Sequence, residues 1–169
     1  MRIVPFDSRR HDRSRFASGD AGLDEYLRRY AGQAQRNGLA QVYVAVEEAG
    51  NKVLGYYSLS AASVRHEDLP ADLACKVPKH PLPAVLIGRM ASDSTARQFG
   101  LRVGSRLLID ALKQTLHAAE TIGVRCVVVD SKPVALGFYN RFGFIPLKQD
   151  GLQLYLPVGT IRKMQATSK

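Results

Sequence analysis

The sequence predicts an α/β fold in which a mixed, mostly antiparallel sheet contains a central parallel β-α-β unit flanked by helices. Residues 41–64 form two β-rich runs around a Gly50-Asn51 turn signal, as in a hairpin. Residues 83–129 form an apolar strand, an amphipathic helix and a second apolar strand, an order that joins parallel strands by a crossover. The 169-residue chain has no linker or repeat, so we expect one domain over residues 1–169.

The N-terminal region is predicted to contain a short edge strand and a helix. Residues 3–6 suit an edge strand, where Pro5 is tolerated because not every N–H is paired there. Residues 18–20 (SGD) offer helix-capping side chains, and apolar residues recur behind them at helical spacing. Asp24 and Arg28 stand four residues apart, so they are expected to form an ion pair on this helix.

The remaining elements follow from the same periodicities. They are strands over 41–46 and 53–64, a short helix and loop over 66–82, a strand over 83–90, a helix over 104–122, a strand over 124–129, a helix over 133–142, and strands over 144–147 and 152–156. Gly123 and Gly143 are expected to end the two later helices, because glycine accepts the left-handed conformation that follows a helix.

The composition excludes several classes of protein. No apolar run approaches the roughly 20 residues that a membrane span needs, and the charged N-terminus lacks a secretory signal. The two cysteines, Cys75 and Cys126, make neither a disulfide framework nor a metal cluster. We therefore expect a cytoplasmic protein with no membrane partner and no metal ion.

The charge balance indicates a polyanionic partner. The chain has 24 Lys+Arg against 15 Asp+Glu, a net charge of +9. Between Lys76 and Lys113 there are seven basic residues and two acidic ones, so this central segment is where an anion is expected to bind. A small domain that is basic without an anionic partner is the alternative interpretation.

The junction between the central strand and the long helix is the candidate anion site. Gly100 and Gly104 let backbone N–H groups turn toward an anion at the N-terminus of the helix, where the helix dipole is favourable. Arg97 and Arg102 add positive charge for phosphate oxygens. The pattern predicts a pyrophosphate-binding turn, with ordinary helix capping as the alternative.

In its order of elements and its motifs the chain resembles the GNAT superfamily of N-acetyltransferases, which use acetyl-coenzyme A. The resemblance is closer to the acetyltransferase toxins of bacterial toxin–antitoxin pairs, which acetylate the amino acid on charged tRNA. The matching stretches are Phe16-x-Ser18-Gly19 with Leu23-Asp24, Gly55-Tyr56-Tyr57-Ser58-Leu59, Pro81-x-Pro83-x-x-Leu86-x-x-Arg89 and Phe138-Tyr139-x-x-Phe142-Gly143-Phe144. They span about residues 14–156, the expected core of the domain.

One motif departs from the family's pattern Gln/Arg-x-x-Gly-x-Gly/Ala. Counting back from the helix puts Phe99, Arg102 and Gly104 in the three motif positions. Counting forward from the strand puts Arg97 and Gly100 in place and leaves Arg102 where the last Gly/Ala belongs. A residue other than glycine there must avoid a positive φ or carry backbone strain.

The resemblance implies an acetyl-CoA site and a catalytic residue. The backbone of Met90, Ala91 and Ser92 would bind the pantetheine arm as an added strand does. Residues 97–105, which we name the phosphate turn, would hold the pyrophosphate. Its candidate residues are Arg97, Phe99, Gly100, Leu101, Arg102, Val103, Gly104 and Ser105. Tyr139 would be the catalytic residue, although a half-buried aromatic on an amphipathic helix is its alternative interpretation.

The chemistry of transfer suggests which amine accepts the acetyl group. A neutral amine must attack the thioester, and the leaving thiolate, with a thiol pKa of about 8.5, must gain a proton from an acid such as a phenol. Backbone N–H groups near Met90 are candidates to polarise the thioester carbonyl. Strands 53–64 and 83–92 contain no Glu, Asp or His to serve as a base. This absence favours an α-amino group, with a pKa of about 7.7–8.0, over a lysine at about 10.4.

The sequence also suggests partners. Arg28, Arg29, Arg36 and Arg89 are candidate contacts to tRNA phosphates. The resemblance implies a ribbon-helix-helix antitoxin whose tail covers the basic groove, and a homodimer. Two further functions stay open: acetylation of a protein or small-molecule amine, and a non-catalytic domain that binds CoA or RNA.

Overall fold

The structure, a computed structural model, describes residues 1–147 and 151–168. Its strands are β1 (Arg2–Pro5), β2 (Gln41–Val46), β3 (Val53–Val64), β4 (Leu82–Ser92), β5 (Cys126–Asp130), β6 (Ile145–Pro146) and β7 (Gln153–Pro157). Its α-helices are α1 (Ala21–Glu25), α2 (Ala31–Arg36), α3 (Ala71–Ala74), α4 (Ser94–Gln98), α5 (Val103–Thr121), α6 (Leu136–Arg141) and α7 (Val158–Thr167). Tyr26–Tyr30 is a π-helical segment, and His66–Asp68 and Pro133–Ala135 are 3-10 turns.

The described strands follow the order β1-β2-β3-β4-β5-β7-β6. β2 pairs antiparallel with both β1 and β3, and β7 pairs antiparallel with both β5 and β6. β4 and β5 are parallel, in a register that runs from Ala84 opposite Cys126 to Ile87 opposite Val129. Since α5 connects these two strands along the chain, they form a parallel β-α-β unit. With antiparallel pairs on either side of it, the predicted mixed sheet is confirmed.

The chain divides into two compact units. Unit 1 comprises Met1–Ser60 and Gly88–Ala111, and unit 2 comprises Ala61–Ile87 and Leu112–Lys169. Unit 1 contains β1, β2, most of β3 and the phosphate turn, whereas unit 2 contains β5 to β7 and Tyr139. The single domain over residues 1–169 stays a prediction.

An aromatic cluster forms the centre of unit 1. The ring of Tyr56, which is fully buried, lies edge-on to Phe16 at 5.8 Å and stacks on Tyr26 at 6.1 Å, centroid to centroid. The Tyr56 hydroxyl donates a hydrogen bond to the carbonyl oxygen of Leu23 at 2.8 Å. The core therefore holds the N-terminal helical region against β3 by both ring packing and a satisfied polar contact.

Unit 2 has its own apolar core. Val64, Leu69, Ala84, Cys126, Val128, Leu147 and Tyr155 pack together there. The C-terminal helix α7 was not predicted, because half of its residues are polar and it contains Gly159. Only Val158 and Ile161 of this helix are buried, which is too few to give a clear helical stripe.

Several local predictions were wrong. The N-terminal helix is interrupted by the π-helical segment, and Asp24 bonds Ser18 instead of forming the expected pair with Arg28. The loop predicted before the long helix contains α4. Gly143 has the expected positive φ of +87°, whereas Gly123 is not among the residues with positive φ.

Within the described residues, no helix combines the length and apolar character of a membrane span.

Candidate acetyl-CoA and acceptor site

Residues 90–92 lie at the C-terminal end of β4. The residue before them and the residue after them both donate hydrogen bonds to β3. The N–H of Arg89 donates to Oγ of Ser58 at 3.1 Å, and the N–H of Asp93 donates to the carbonyl oxygen of Leu54 at 2.8 Å. Residue 90 is half-buried and residues 91 and 92 are buried. This end of the candidate pantetheine-binding strand is therefore a well-supported piece of backbone.

Asp93 organises the chain directly after β4. Its Oδ1 accepts hydrogen bonds from the N–H groups of Thr95 at 3.0 Å and Ala96 at 3.3 Å, which caps α4. Its Oδ2 accepts a bond from the N–H of Ala17 at 3.1 Å. A buried carboxylate needs several donors to offset its desolvation, and here both oxygens have them. The Asp93 carboxylate therefore caps α4 with one oxygen and connects the start of this helix to Ala17 with the other.

The backbone of the phosphate turn is left-handed at two residues. Gly100 has a φ of +69° and Arg102 a φ of +48°. Because α5 begins at Val103, Gly104 lies inside the helix and takes no part in the bend. The geometry agrees with the motif register that puts Arg97 and Gly100 in place and Arg102 in the last position. Arg102 thus has the positive φ that costs a non-glycine residue about 1 kcal/mol.

Residues 99–102 of the phosphate turn are exposed, whereas the start of α5 is firmly packed. Phe99 and Leu101 are 77% and 44% exposed, but Val103 is only 1% exposed. A Cβ on Gly55 of β3 would lie 2.7 Å from Cγ1 of Val103, so the first turn of α5 packs directly on the glycine backbone. The leading N–H groups of this 19-residue helix have no partner within the helix, which makes its N-terminus suited to an anion. Gly104 and Ser105 are half-buried.

Arg97 is not simply a charge directed at solvent. Its Nη1 donates to the carbonyl oxygen of Ser92 at 2.9 Å, and its Nη2 donates to the carbonyl oxygen of Ser18 at 2.5 Å. The guanidinium therefore has a structural role besides the expected pairing with phosphate oxygens, which stays a prediction.

Tyr139 lies in an aromatic cluster on α6. Its side chain is 6% exposed, and its ring makes edge-on contacts with Phe138 at 5.1 Å and Phe144 at 5.5 Å between centroids. Burial raises the pKa of the Tyr139 phenol to about 12. Gly143, with its positive φ, ends the helical segment and returns the chain to bring Phe144 against the ring. The phenol is therefore protonated throughout the neutral range.

The four candidate tRNA-contacting arginines are all exposed, but they are held differently. Arg28 donates to the carbonyl oxygen of Phe16 at 2.7 Å, and Arg29 pairs with Glu25 at 3.4 Å. The guanidinium carbon of Arg89 lies 4.0 Å from the centroid of the Tyr26 ring. The fourth, at position 36, is at the end of α2. The structure places Arg28, Arg29, Arg36 and Arg89 in unit 1.

Sequence reasoning missed three residues that shape this region. The cap that Asp93 forms on α4 has a local signal, because an Asp followed by Ser-Thr is a recognisable N-cap pattern. The capping predicted for residues 18–20 is confirmed at Asp20, whose side chain accepts from the N–H of Leu23, but the bond from Arg97 to the carbonyl oxygen of Ser18 has no local signal. Gly55 belongs to one of the matching motifs, but its packing role has no local signal, since the side chains that a Cβ would meet there lie far along the chain.

Comparison with known proteins places the chain among bacterial toxins. No family model matches it. It is 32% identical over 173 residues to a probable toxin TacT of Sinorhizobium fredii, a match that covers 96% of this chain and 93% of that protein. It is 35% identical over 146 residues to a tRNA-acetylating toxin of Mycobacterium tuberculosis, covering 86% and 85% of the two chains.

Solved structures agree on the fold. A tyrosine-to-phenylalanine mutant of KacT superposes with a TM-score of 0.88 at 23% identity, over 96% of this chain and 98% of that one. AtaT complexed with acetyl-methionyl-tRNAfMet has a TM-score of 0.87 at 25% identity, over 97% and 98%. An AtaT mutant, also tyrosine to phenylalanine, bound to the C-terminus of its antitoxin AtaR and to acetyl-CoA has a TM-score of 0.82 at 23% identity, over 97% of each chain.

These matches extend along nearly the whole chain, and two of them exceed 30% identity. The superpositions agree with the mixed seven-stranded sheet. The chain therefore belongs to the tRNA-acetylating toxins, a family with the GNAT fold.

Proposed function

We propose that this chain transfers the acetyl group of acetyl-CoA to the α-amino group of the amino acid on a charged tRNA, and so blocks translation as a toxin. The observation that carries the proposal is the 35% identity to a tRNA-acetylating toxin over 86% of the chain. The exposed, left-handed bend at the N-terminus of α5 supplies the anion site that such a reaction requires.

The residues of unit 1 fit the anionic part of acetyl-CoA. The first N–H groups of α5 offer donors for diphosphate oxygens, in the favourable field of the helix dipole and next to the left-handed backbone of Gly100 and Arg102. We assign the pyrophosphate to residues 97–105 and the pantetheine arm to the backbone of residues 90–92. Arg102 and Arg97 are both exposed, and the guanidinium of Arg97 also donates to carbonyl oxygens.

The transfer itself needs few protein groups. The amine nitrogen bonds to the acetyl carbon while the carbon–sulfur bond breaks, the nitrogen loses a proton, and the leaving sulfur gains one. We propose that the Tyr139 hydroxyl donates the proton that the leaving sulfur gains. Burial raises the pKa of this phenol to about 12 and so keeps it protonated. A buried phenol is a weak acid, so the donation relies on a leaving thiolate that is also poorly solvated and therefore more basic.

An α-amino group suits this site better than a lysine does. An aminoacyl amine, with a pKa of about 7.7–8.0, has a far larger neutral fraction near physiological pH than a lysine at about 10.4, so it needs no strong base. The net charge of +9 adds electrostatic attraction to the tRNA phosphates. We assign those contacts to Arg28, Arg29, Arg36 and Arg89.

The relatives suggest a further macromolecular partner. AtaT is bound to the C-terminus of its antitoxin AtaR in one of the structures above. We propose that this chain is likewise neutralised by an antitoxin, of the ribbon-helix-helix class that the resemblance implies, and that it acts in the cytoplasm, where charged tRNA is found. A homodimer stays a prediction.

The substrate assignment is tested by an acetylation assay with purified protein and acetyl-CoA. Charged tRNA, deacylated tRNA and a lysine-containing peptide are compared, with release of free CoA thiol and formation of the N-acetyl product measured together. We expect thiol release only with charged tRNA. Acetylation of the peptide alone would favour the protein-modifying alternative, and no thiol release with any amine would favour the non-catalytic alternative.

The role of Tyr139 is tested by Tyr139→Phe, which removes the proton and keeps the ring in its aromatic cluster. We expect turnover to fall by about a hundredfold or more, in the range found for loss of a general acid. Acetyl-CoA binding, measured by calorimetry, is expected to be retained. Phe138→Leu serves as a control for packing around the ring, and wild-type turnover in Tyr139→Phe would remove this hydroxyl from the mechanism.

A further inference from the structure

We propose that Arg97 is a positioning residue, which holds the phosphate turn against loop 16–19, and that its contribution to acetyl-CoA binding comes through this geometry and not through its charge. The role in acetyl-CoA binding rests on the proposed function. The structural part of the proposal stands on contacts within unit 1 alone.

The guanidinium of Arg97 bridges two pieces of backbone that are distant in sequence. Nη1 donates to the carbonyl oxygen of Ser92 at 2.9 Å and lies 3.4 Å from its Oγ, while Nη2 donates to the carbonyl oxygen of Ser18 at 2.5 Å. Ser18 precedes Arg97 by 79 positions. A planar guanidinium has its donors in a rigid fork, so it can hold both carbonyl oxygens at once.

Two more hydrogen bonds connect the same pair of segments. The N–H of Ser94 donates to the carbonyl oxygen of Ala17 at 2.8 Å, and the N–H of Ala17 donates to Oδ2 of Asp93 at 3.1 Å. Loop 16–19 is therefore joined to the start of α4 by backbone groups at Ala17 and to the last turn of α4 by Arg97. Hydrogen bonds therefore hold both ends of this short helix, and Gly100 follows two residues after its last residue.

Loop 16–19 is itself anchored on its other side. The N–H and Oγ of Ser18 both donate to Oδ1 of Asp24, at 2.9 and 2.6 Å, and Arg28 donates to the carbonyl oxygen of Phe16 at 2.7 Å. Gly19 has a φ of +95°, which lets the loop turn away directly after the carbonyl that Arg97 binds. Arg97 thus closes a continuous chain of contacts from the N-terminal helical region to the phosphate turn.

The proposal is tested with a charge-conserving variant. The ammonium of a lysine cannot span two carbonyl oxygens in a fixed fork as a guanidinium does, so Arg97→Lys keeps the charge and loses the bridge. Arg97→Ala loses both. Arg106→Ala is the matched control, since it removes an exposed arginine from the first turns of α5.

The first measurement is amide hydrogen exchange in the free protein. In Arg97→Lys and Arg97→Ala, we expect exchange in peptides covering residues 16–19 and 92–98 to be faster by about tenfold, because local opening becomes easier. Arg106→Ala should exchange at the wild-type rate. Wild-type exchange in both Arg97 variants would overturn the proposal, and because no substrate is present, this result is independent of the proposed enzymatic function.

The second measurement is steady-state kinetics with acetyl-CoA and charged tRNA. Loss of the bridge should raise the KM for acetyl-CoA about tenfold in Arg97→Lys and Arg97→Ala alike, with a smaller change in kcat. A wild-type KM in Arg97→Lys would show that charge is what matters and would overturn the proposal. Inactivity of the wild-type protein would instead contradict the proposed function and leave the exchange result to decide the positioning role.

Discussion

Arg102 holds a backbone conformation that its own side chain makes costly. With a φ of +48° it is the non-glycine residue of positive φ within the described part of the chain. A Cβ in this region is crowded by the following carbonyl, at a cost of about 1 kcal/mol. The exposed guanidinium offers a charge beside the N-terminus of α5, which explains why an arginine is useful where a glycine fits better.

The two effects at Arg102 can be separated by a pair of variants. Arg102→Gly and Arg102→Ala remove the same charge, but only glycine relieves the strained backbone. We expect the free energy of unfolding of the glycine variant to equal or exceed that of the alanine variant, by up to about 1 kcal/mol, since the freedom glycine has when unfolded offsets part of the relief. Urea denaturation checks this, and an alanine variant clearly more stable than the glycine variant would contradict the strain.

Helix α5 packs closely on β3 because Gly55 of that strand has no side chain. A Cβ on Gly55 would lie 2.7 Å from Cγ1 of Val103, 2.8 Å from Cδ1 of Leu107 and 2.9 Å from the carbonyl oxygen of Ala91. The two side chains can yield slightly, but the carbonyl belongs to the backbone of β4. The glycine therefore sets how closely the first turns of α5 approach the strands that hold the candidate acetyl-CoA site.

Gly55→Ala is expected to displace the start of α5 and to lower the free energy of unfolding by roughly 1–3 kcal/mol, the usual cost of overpacking. The KM for acetyl-CoA should rise as the phosphate turn moves. Thermal or urea unfolding and steady-state kinetics measure the two effects. Gly123→Ala is the control, because a Cβ there would meet no atom within 4 Å. Equal stability of the two variants would show that β3 tolerates a side chain at position 55.

The net charge of +9 is a property of the whole molecule that affects its association with tRNA. Lysine and arginine side chains that neutralise phosphates release condensed counterions, so the affinity falls as salt rises. Acetyl-CoA carries few charges and should respond less. The salt dependence of the two KM values therefore separates polyanion binding from cofactor binding.

Arg36→Gln is expected to reduce the slope of log KM for charged tRNA against log salt by somewhat under one unit, about what the loss of one phosphate contact produces. Arg162→Gln, which lowers the net charge by the same amount at an exposed position of α7, is the control and should leave the slope near its wild-type value. Kinetics over a sodium chloride series measure both, and identical slopes in the two variants would remove Arg36 from the tRNA contacts.

The order of elements and a bend before the long helix could be predicted from the sequence, because each depends on a local signal, whereas phosphate binding at this bend stays a prediction. Helical and strand periodicities predicted β2, β3, β4 and α5 closely, and the parallel pairing of β4 with β5 followed from the helix between them. Prediction failed where the local signal was weak or misleading. α7 has too few apolar residues to form a stripe, and the π-helical segment altered the spacing on which the Asp24–Arg28 pair depended.

Sequence alone determined the class of fold, the basic character of the chain and the residue types of the candidate site, because composition and short-range spacing are properties of neighbouring residues. Tertiary structure decided how those residues are used. Arg97 binds the carbonyl oxygen of a residue 79 positions away, Gly55 makes room for Val103, and Arg102 takes a left-handed backbone. None of these outcomes is a local property, because each depends on which distant segments the folded chain brings into contact.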